Sequence, residues 1–398
     1  MSDSRTYGAF RPERDIEPVA RAIALAFGGT EAGAREWLDA TGHRHGRVLR
    51  DAGGGVAASL LALPMGQYFG GRVVPMQGIA GVAVAPERRG RGLALEMMRR
   101  QVREAAEQGV ALSCLYASTQ ALYRQAGYEQ AGLLFRTSIP LRTIGVRERG
   151  LELRELSADD DGAIRACYAQ SAARVNGALE RGAYEWSRVR KMRDEAYTGF
   201  GVFAPEAPGR LESYLFMTQR RKPETGRHDV GLSDLVFTTS RAGRRLLGFL
   251  SDLATVGDDA IVYGGPLHPI CALMPQQYHT SRFVDVWMLR INLVEEALVR
   301  RGYGRGVDTG LSLEITDELV PENAGRWTLR VRGGGAAVER GGSGPTLRCS
   351  VRGLAPVYAG YLTAAQAGAA GLVEGDAEAI SAADAVFAGP TPWMSDRF

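Results

Sequence analysis

The stretch “GVAVAPERRGRGLALEMM”, residues 81–98, holds the residue types that could cradle a phosphate. A β-branched strand runs up to Pro86, and an amphipathic helix is expected from near Gly90. Helix N-termini expose backbone N–H groups without partners and carry about half a positive charge, so they favour phosphate. Gly90 and Gly92 keep side chains away from those N–H groups, and Arg88, Arg89 and Arg91 add charge. An arginine-glycine run also suits a nucleic-acid-binding tail, but a run set between a strand and a long helix reads better as a phosphate loop. A dinucleotide fingerprint would need G-x-G-x-x-G with an acid about 20 residues on. A P-loop would need Gly-Lys-Ser/Thr. The loop fits neither pattern. Metal chemistry is not expected. His43 and His45 lack ligand spacing, and Cys114, Cys167, Cys271 and Cys349 are scattered and form no CxxC pair.

The elements that must position this loop come from a chain of 398 residues, long enough for two or three domains. Its composition, 45% hydrophobic and 23% charged, is globular. The net charge of +3 is too even for a dedicated nucleic-acid binder, so no nucleic-acid partner is expected. No apolar run approaches the roughly 20 residues of a membrane span, and the N-terminus has no apolar signal core. Thiols without pairing and no membrane segment suggest a cytoplasmic protein that does not use a membrane.

Residues 15–27 carry helical apolar spacing, and residues 46–69 read as a hairpin around “DAGGG”. The strand “GIAGVAVAP”, the long helix from residue 91, the strand “VALSCLYAS”, a short helix at “TQALYRQAG” and a strand from about Leu133 to Leu141 follow. Alternation of this kind argues for an α/β layer fold. From Leu151 a similar order begins again, and the two halves align without a gap. Gly78 meets Gly231, Val84 meets Phe237, Arg88 meets Arg241 and Gly90 meets Gly243, whereas Gly92 meets Arg245. The repeat thus keeps the strand-to-helix pattern and loses a loop glycine; a chance match of two unrelated α/β units is the other reading. Residues 305–398 look different, with alternating strands and short Ala-rich helices, as in a small α+β domain. Within them “RGGGAAVERGGSG” reads as a surface hairpin turn, since no long amphipathic helix follows it.

The spacing Arg89, Gly92, Ala94 fits R-x-x-G-x-G/A after a V-x-V strand, and here the sequence resembles the GNAT acetyltransferase superfamily. The resemblance implies acetyl-CoA as co-substrate. Arg89, Gly90, Arg91, Gly92, Leu93, Ala94 and Leu95 would hold its pyrophosphate, and Val82, Ala83 and Val84 its pantetheine arm. Ser118 and Thr119 would flank the splayed gap that admits it; capping the helix that holds Tyr123 is the other reading, and both can hold. In “LYRQAGY” the resemblance makes Tyr123 the general acid, with a core role as the other reading, while Tyr128 is expected in the core.

The order of parts further resembles the enhanced intracellular survival family of acetyltransferases, over the whole length. The expected fold is multidomain α/β and α+β. It comprises an active GNAT domain at 1–145, a degenerate GNAT-like domain at 146–290 and a sterol-carrier-protein-like domain at 291–398. The resemblance implies acetylation of amines on aminoglycosides or lysines, a hexameric homo-oligomer, and the free carboxylate of a terminal Phe, here Phe398, as general base. The sequence departs from the drug-acetylating members. Arg397 stands beside the terminal Phe where they carry an acid, Gly29 follows the first helix, and Trp37 could supply an aromatic wall. Fewer acids weaken the attraction for a polycation. The reading is an acetyl-CoA-dependent N-acetyltransferase acting on aminoglycoside-like, polyamine or lysine amines. The alternative is a lipid- or small-molecule-binding protein with an inactive GNAT site.

Overall fold

The computed structural model describes residues 5–207 and 209–398. They fall into two compact units, one of residues up to 132 with 286–390 and Phe398, the other of 133–285 with 391–397.

The first unit opens with β1 (Thr6–Ala9), α1 (Pro12–Phe27), α2 (Glu31–Thr41), β2 (Gly46–Arg50), β3 (Val56–Phe69) and β4 (Arg72–Val84). Helix α1 starts three residues earlier than its apolar spacing suggests, because Pro12 sits at its first position and Glu13 and Asp15 favour its first turn. It stops at Gly28, which takes a left-handed φ of 72° that suits glycine. Helix α2, unforeseen from the sequence, is capped by Thr30, whose hydroxyl accepts the Gly33 N–H at 3.0 Å. The strands β1 to β4 form an antiparallel series in chain order. Alternate residues of β3 serve opposite faces. Ala58, Leu60 and Ala62 pack with Met97, Met98 and Val102, whereas Leu61 and Leu63 pack with Val19, Ile23 and Leu38.

Helix α3 (Leu93–Glu107), β5 (Leu112–Tyr116), α4 (Gln120–Arg124) and the start of β6 (Glu129–Pro140) complete the first α/β layer arrangement. The segment 286–291 lies antiparallel on β5, from Trp287 opposite Tyr116 to Ile291 opposite Leu112.

In the second unit come β7 (Leu153–Glu155), α5 (Asp161–Ala172), α6 (Ala183–Arg190), β8 (Thr198–Phe203), β9 (Leu211–Arg221) and β10 (His228–Phe237). They are followed by α7 (Ser240–Asp252), β11 (Gly257–Gly264) and the first part of β12 (Thr280–Ile291). Strands β7, β8, β9 and β10 pair antiparallel in that order, and β11 joins β10 in parallel. Leu246, Leu247 and Leu250 of α7 are buried against Val230, Leu232 and Val262.

A buried ion cluster fixes the tail of this unit. Arg181 donates to Asp234 at 2.5 Å and to Asp396 at 2.9 Å, Tyr214 donates its hydroxyl to Asp234 at 2.8 Å, and the guanidinium lies 3.9 Å from the Tyr168 ring centre. Burial pushes the Asp396 carboxyl above its usual range, and Arg181 pulls it partly back. Replacing Arg181 by Met leaves two carboxylates buried without their cation. Removing one partner of a buried pair costs about 3–5 kcal/mol. The Arg181→Met variant is therefore expected to lose that much unfolding free energy, read as a lower midpoint in urea; an unchanged midpoint would show that solvent reaches the cluster.

Beyond β12 the chain forms α8 (Val294–Arg300), β13 (Thr309–Thr316), β14 (Gly325–Arg332), β15 (Gly335–Arg340), β16 (Thr346–Ser350), α9 (Val351–Ala359), α10 (Ala364–Ala369), β17 (Val373–Glu374) and α11 (Ala377–Phe387). The sheet order is β15-β14-β13-β16-β17. The expected surface turn at 332–344 proves shorter: Gly333 and Gly334, both at positive φ, make it, and residues 335–340 continue as a strand. This α+β part packs within the first unit. Glu129 accepts from Arg124 at 2.8 Å and from Arg352 at 2.7 Å, and Asn292 donates to Ser113 at 2.6 Å.

Candidate active site

The parallel ladder between β4 and β5 is short. It runs from Met76 opposite Leu112 to Gly78 opposite Cys114 and stops, although β4 continues to Val84 and β5 to Tyr116. Past Gly78 the two strands splay. On the other edge of β4, Ala80 pairs with Leu61 and Ala83 with Ser59, so Gly81 and Val82 form a bulge. Gly81 takes a φ of 58°. A bulge re-aims the strand, and here it does so where Val82, Ala83 and Val84 present a backbone edge with no β5 partner among the described residues. That edge can accept and donate hydrogen bonds to an amide-bearing ligand arm.

The loop differs in detail from its sequence reading. Strand β4 ends at Val84, a 3-10 turn spans Pro86–Arg88, and α3 begins at Leu93 and not near Gly90. Gly90 and Gly92 have φ of 78° and 73°, and a Cβ on either would meet open space. Their glycines are therefore required by backbone conformation rather than by lack of room. Successive residues of this kind turn N–H groups toward one concavity, which suits an anion. Gly92 is the N-cap of α3 and no side chain caps the helix, so the N–H groups of Leu93, Ala94 and Leu95 lie at an open N-terminus. Arg89 and Arg91 are exposed at this loop, whereas Arg88 is turned to an ion pair with Asp51. Two arginines of the expected three are thus available to a phosphate.

Tyr123, on α4, is 6% exposed and packs edge-on to Tyr128 with ring centres 6.2 Å apart. Burial pushes its hydroxyl up to about 12, and a hydrogen bond with Ser118 offsets part of that. Ser118 and Thr119 are exposed at the end of β5, and Thr119 holds the N-cap position of α4 without using its side chain. The capping alternative therefore fails for Thr119. Tyr128 is fully buried in the core, as expected.

Phe398 is half-buried in the cluster between α1, α2 and the sheet. A Cβ on Gly78 would lie 2.8 Å from its Cδ2 and Cε2, so the ring rests on the glycine at which the ladder ends. Tyr116 faces it with ring centres 6.4 Å apart. Trp37 of α2 covers Gly81 in the same way, its Cη2 2.6 Å from where a Cβ would stand. Gly78 and Gly81 were not singled out as site residues from the sequence; glycine inside an otherwise β-branched strand is the signal of close approach that could have found them. The structure thus brings Val82–Val84, the 89–95 loop, Ser118, Tyr123 and Phe398 into one unit around the end of the β4–β5 ladder.

The second unit repeats the strands but has no open loop of this kind. The parallel pairing of β10 and β11 ends at Gly231 opposite Ile261, the counterpart of Gly78 opposite Cys114. There the likeness stops. Helix α7 starts at Ser240, and the Thr239 hydroxyl already caps it by accepting the Ala242 N–H at 3.3 Å. Gly243, aligned with Gly90, lies inside α7, where a Cβ would strike Leu273 at 2.6 Å. Arg241 is paired with Glu206 and Glu212.

Comparison with known proteins agrees with this geometry. Acetyltransferase (GNAT) domain families match residues 11–131 and 177–291, and a sterol carrier protein domain family matches residues 294–395. An uncharacterised N-acetyltransferase of Streptomyces coelicolor is 31% identical, covering 83% of this chain and 82% of its own. The N-acetyltransferase Eis of Mycobacterium tuberculosis is 27% identical over 87% of each chain. The crystal structure of a GCN5-related N-acetyltransferase from Anabaena variabilis superposes with a TM-score of 0.93 at 31% identity, covering 99% of this chain and 100% of that one. Eis1 of Mycobacterium abscessus shares the fold, with a TM-score of 0.80 at 24% identity over 99% of this chain and 100% of that one. Two GNAT domains followed by a sterol-carrier-like domain imply acetyl-CoA as co-substrate. With GNAT domain matches in both halves, a sterol carrier protein match after them and relatives alike over most of its length, the chain is an N-acetyltransferase of the enhanced intracellular survival (Eis) family.

Proposed function

We propose that the protein transfers an acetyl group to a primary amine directly, with the Phe398 α-carboxylate as general base and the Tyr123 hydroxyl as general acid. The observation that carries this reading is the end of the β4–β5 ladder at Gly78, where the Phe398 ring rests and beyond which the bare edge of Val82–Val84 begins. Acetyl-CoA, when bound, supplies a thioester whose carbonyl carbon an amine can attack. Arg89, Gly90, Arg91, Gly92, Leu93, Ala94 and Leu95 hold its pyrophosphate through backbone N–H groups and two guanidiniums. Val82, Ala83 and Val84 bond the pantetheine arm, and Ser118 and Thr119 flank its path. The Phe398 carboxylate takes a proton from the ammonium, which frees the nitrogen lone pair for attack. Tyr123 remains protonated through the ordinary pH range because burial has lifted its pKa to about 12, so it keeps a proton to give to a departing thiolate.

The domain limits 1–145, 146–290 and 291–398 are part of this reading, supported by family matches that fall within or close to them. Assembly as a homo-oligomer, a hexamer, belongs to it as well and rests on the family resemblance.

The test is a thiol-release assay with acetyl-CoA and a set of primary amines, with mass spectrometry of the product. An amine-dependent rate and a product heavier by one acetyl group are expected. Binding of acetyl-CoA without transfer to any amine would favour the binding-protein alternative.

A further inference from the structure

Resting on that reading, the geometry points to a more particular acceptor: we infer that the amine site takes a compact, singly charged arylalkylamine rather than a polycation. The side chains on the α1/α2 face of β4, beside the glycine where the ladder ends, are apolar. The Phe398 ring and Met65 lie over Gly78, and the Trp37 ring lies over Gly81. Both glycines expose the same face of the strand, the one that packs with α1 and α2. Trp37, Met65, Tyr116 and Phe398 are each only half-buried, so this wall keeps apolar surface open to a ligand. Aromatic surfaces of this kind gain most from burying another flat ring, by area and by edge or offset contacts.

Charge argues the same way. On α1 and α2, Asp15 is held by Arg50 at 2.7 Å, Glu17 pairs with Arg35, and Asp39 lies 2.8 Å from the His43 ring. Asp51 is taken by Arg88. Glu13, Glu31 and Glu36 are exposed, where an ion pair gains little in water. A ligand with several ammonium groups would have to strip water from charges that this wall cannot pair. An amine with one charge loses that charge to the general base and leaves only its apolar body to accommodate.

The test measures kcat/KM on the full chain for tryptamine, 2-phenylethylamine, ethylamine, spermidine and kanamycin. The two arylalkylamines should exceed ethylamine, spermidine and kanamycin by about tenfold or more. Trp37→Ala should erase at least about fivefold of the advantage over ethylamine while the KM for acetyl-CoA changes less than about twofold. Trp37→Phe, which keeps a ring over Gly81, should restore most of it and guards against a folding defect in the alanine variant. Preference for spermidine or kanamycin, or a Trp37→Ala loss equal for every amine, would overturn this inference while leaving acetyl transfer intact. Absence of transfer to all five amines would instead take away the reading on which it rests.

Discussion

A chain extended by one glycine after Phe398 is expected to lose acetyl transfer by about 10²- to 10⁴-fold, the range that a positioned general base supplies. The extension keeps the phenyl ring that rests on Gly78 but turns its carboxylate into a peptide carbonyl, which takes no proton. Simple deletion of Phe398 is a less clean test. It removes the ring as well, whereas the extended chain keeps it; in both variants the free carboxylate is displaced by one residue length of roughly 3.5 Å. Both variants should bind acetyl-CoA within about twofold of the parent, because the phosphate loop at 89–95 and the β4 edge at 82–84 are untouched. The measurement is kcat and KM for both substrates. Full turnover in the glycine-extended chain would remove Phe398 from the chemistry and leave it as packing.

Tyr123→Phe should slow transfer by about 10²-fold or more near neutral pH, since the ring keeps its edge-on packing against Tyr128 and only the proton is lost. The pH dependence separates a chemical role from a structural one. With its hydroxyl pushed up to about 12, Tyr123 stays protonated, so the parent rate should show no fall from this group below that pH. A thiolate leaves more readily without help once the pH passes the ordinary thiol value of about 8.5. The deficit of the phenylalanine variant should therefore shrink between pH 7 and pH 9.5. A constant deficit across that range, or a lower melting temperature with unchanged kcat, would return Tyr123 to the core.

Most of the candidate site is legible in the sequence because its signals are local. The loop announces itself by two glycines between a strand and a helix, and Tyr123 and Ser118 follow at the end of the next strand. Their conformations were less legible. Gly90 and Gly92 looked like the opening of α3, but both stand outside it in left-handed geometry, and the helix waits until Leu93. The pairing of Arg88 with Asp51 joins the loop to the β2–β3 turn, a contact that spacing alone does not reveal. Helix α2 was missed because “EAGAREWLDAT” is short and carries Gly33, so its start depends on the Thr30 cap. The limits of the compact units were beyond local pattern too, since residues 286–291 find their partner in β5, far back in the chain.

The closed start of α7 bears on how this protein could change. Restoring the missing glycine of the repeat, Arg245→Gly, would not give the second domain a cofactor loop, because that position already lies within α7. Only Thr238 and Thr239 separate β10 from α7, whereas residues 85–92 separate β4 from α3. A route back would need an insertion that lengthens this link and releases the Thr239 cap, with both changes arriving together. Point substitution alone therefore does not rebuild a cofactor loop in the second domain: the length of the link, and not any one residue, works as a ratchet.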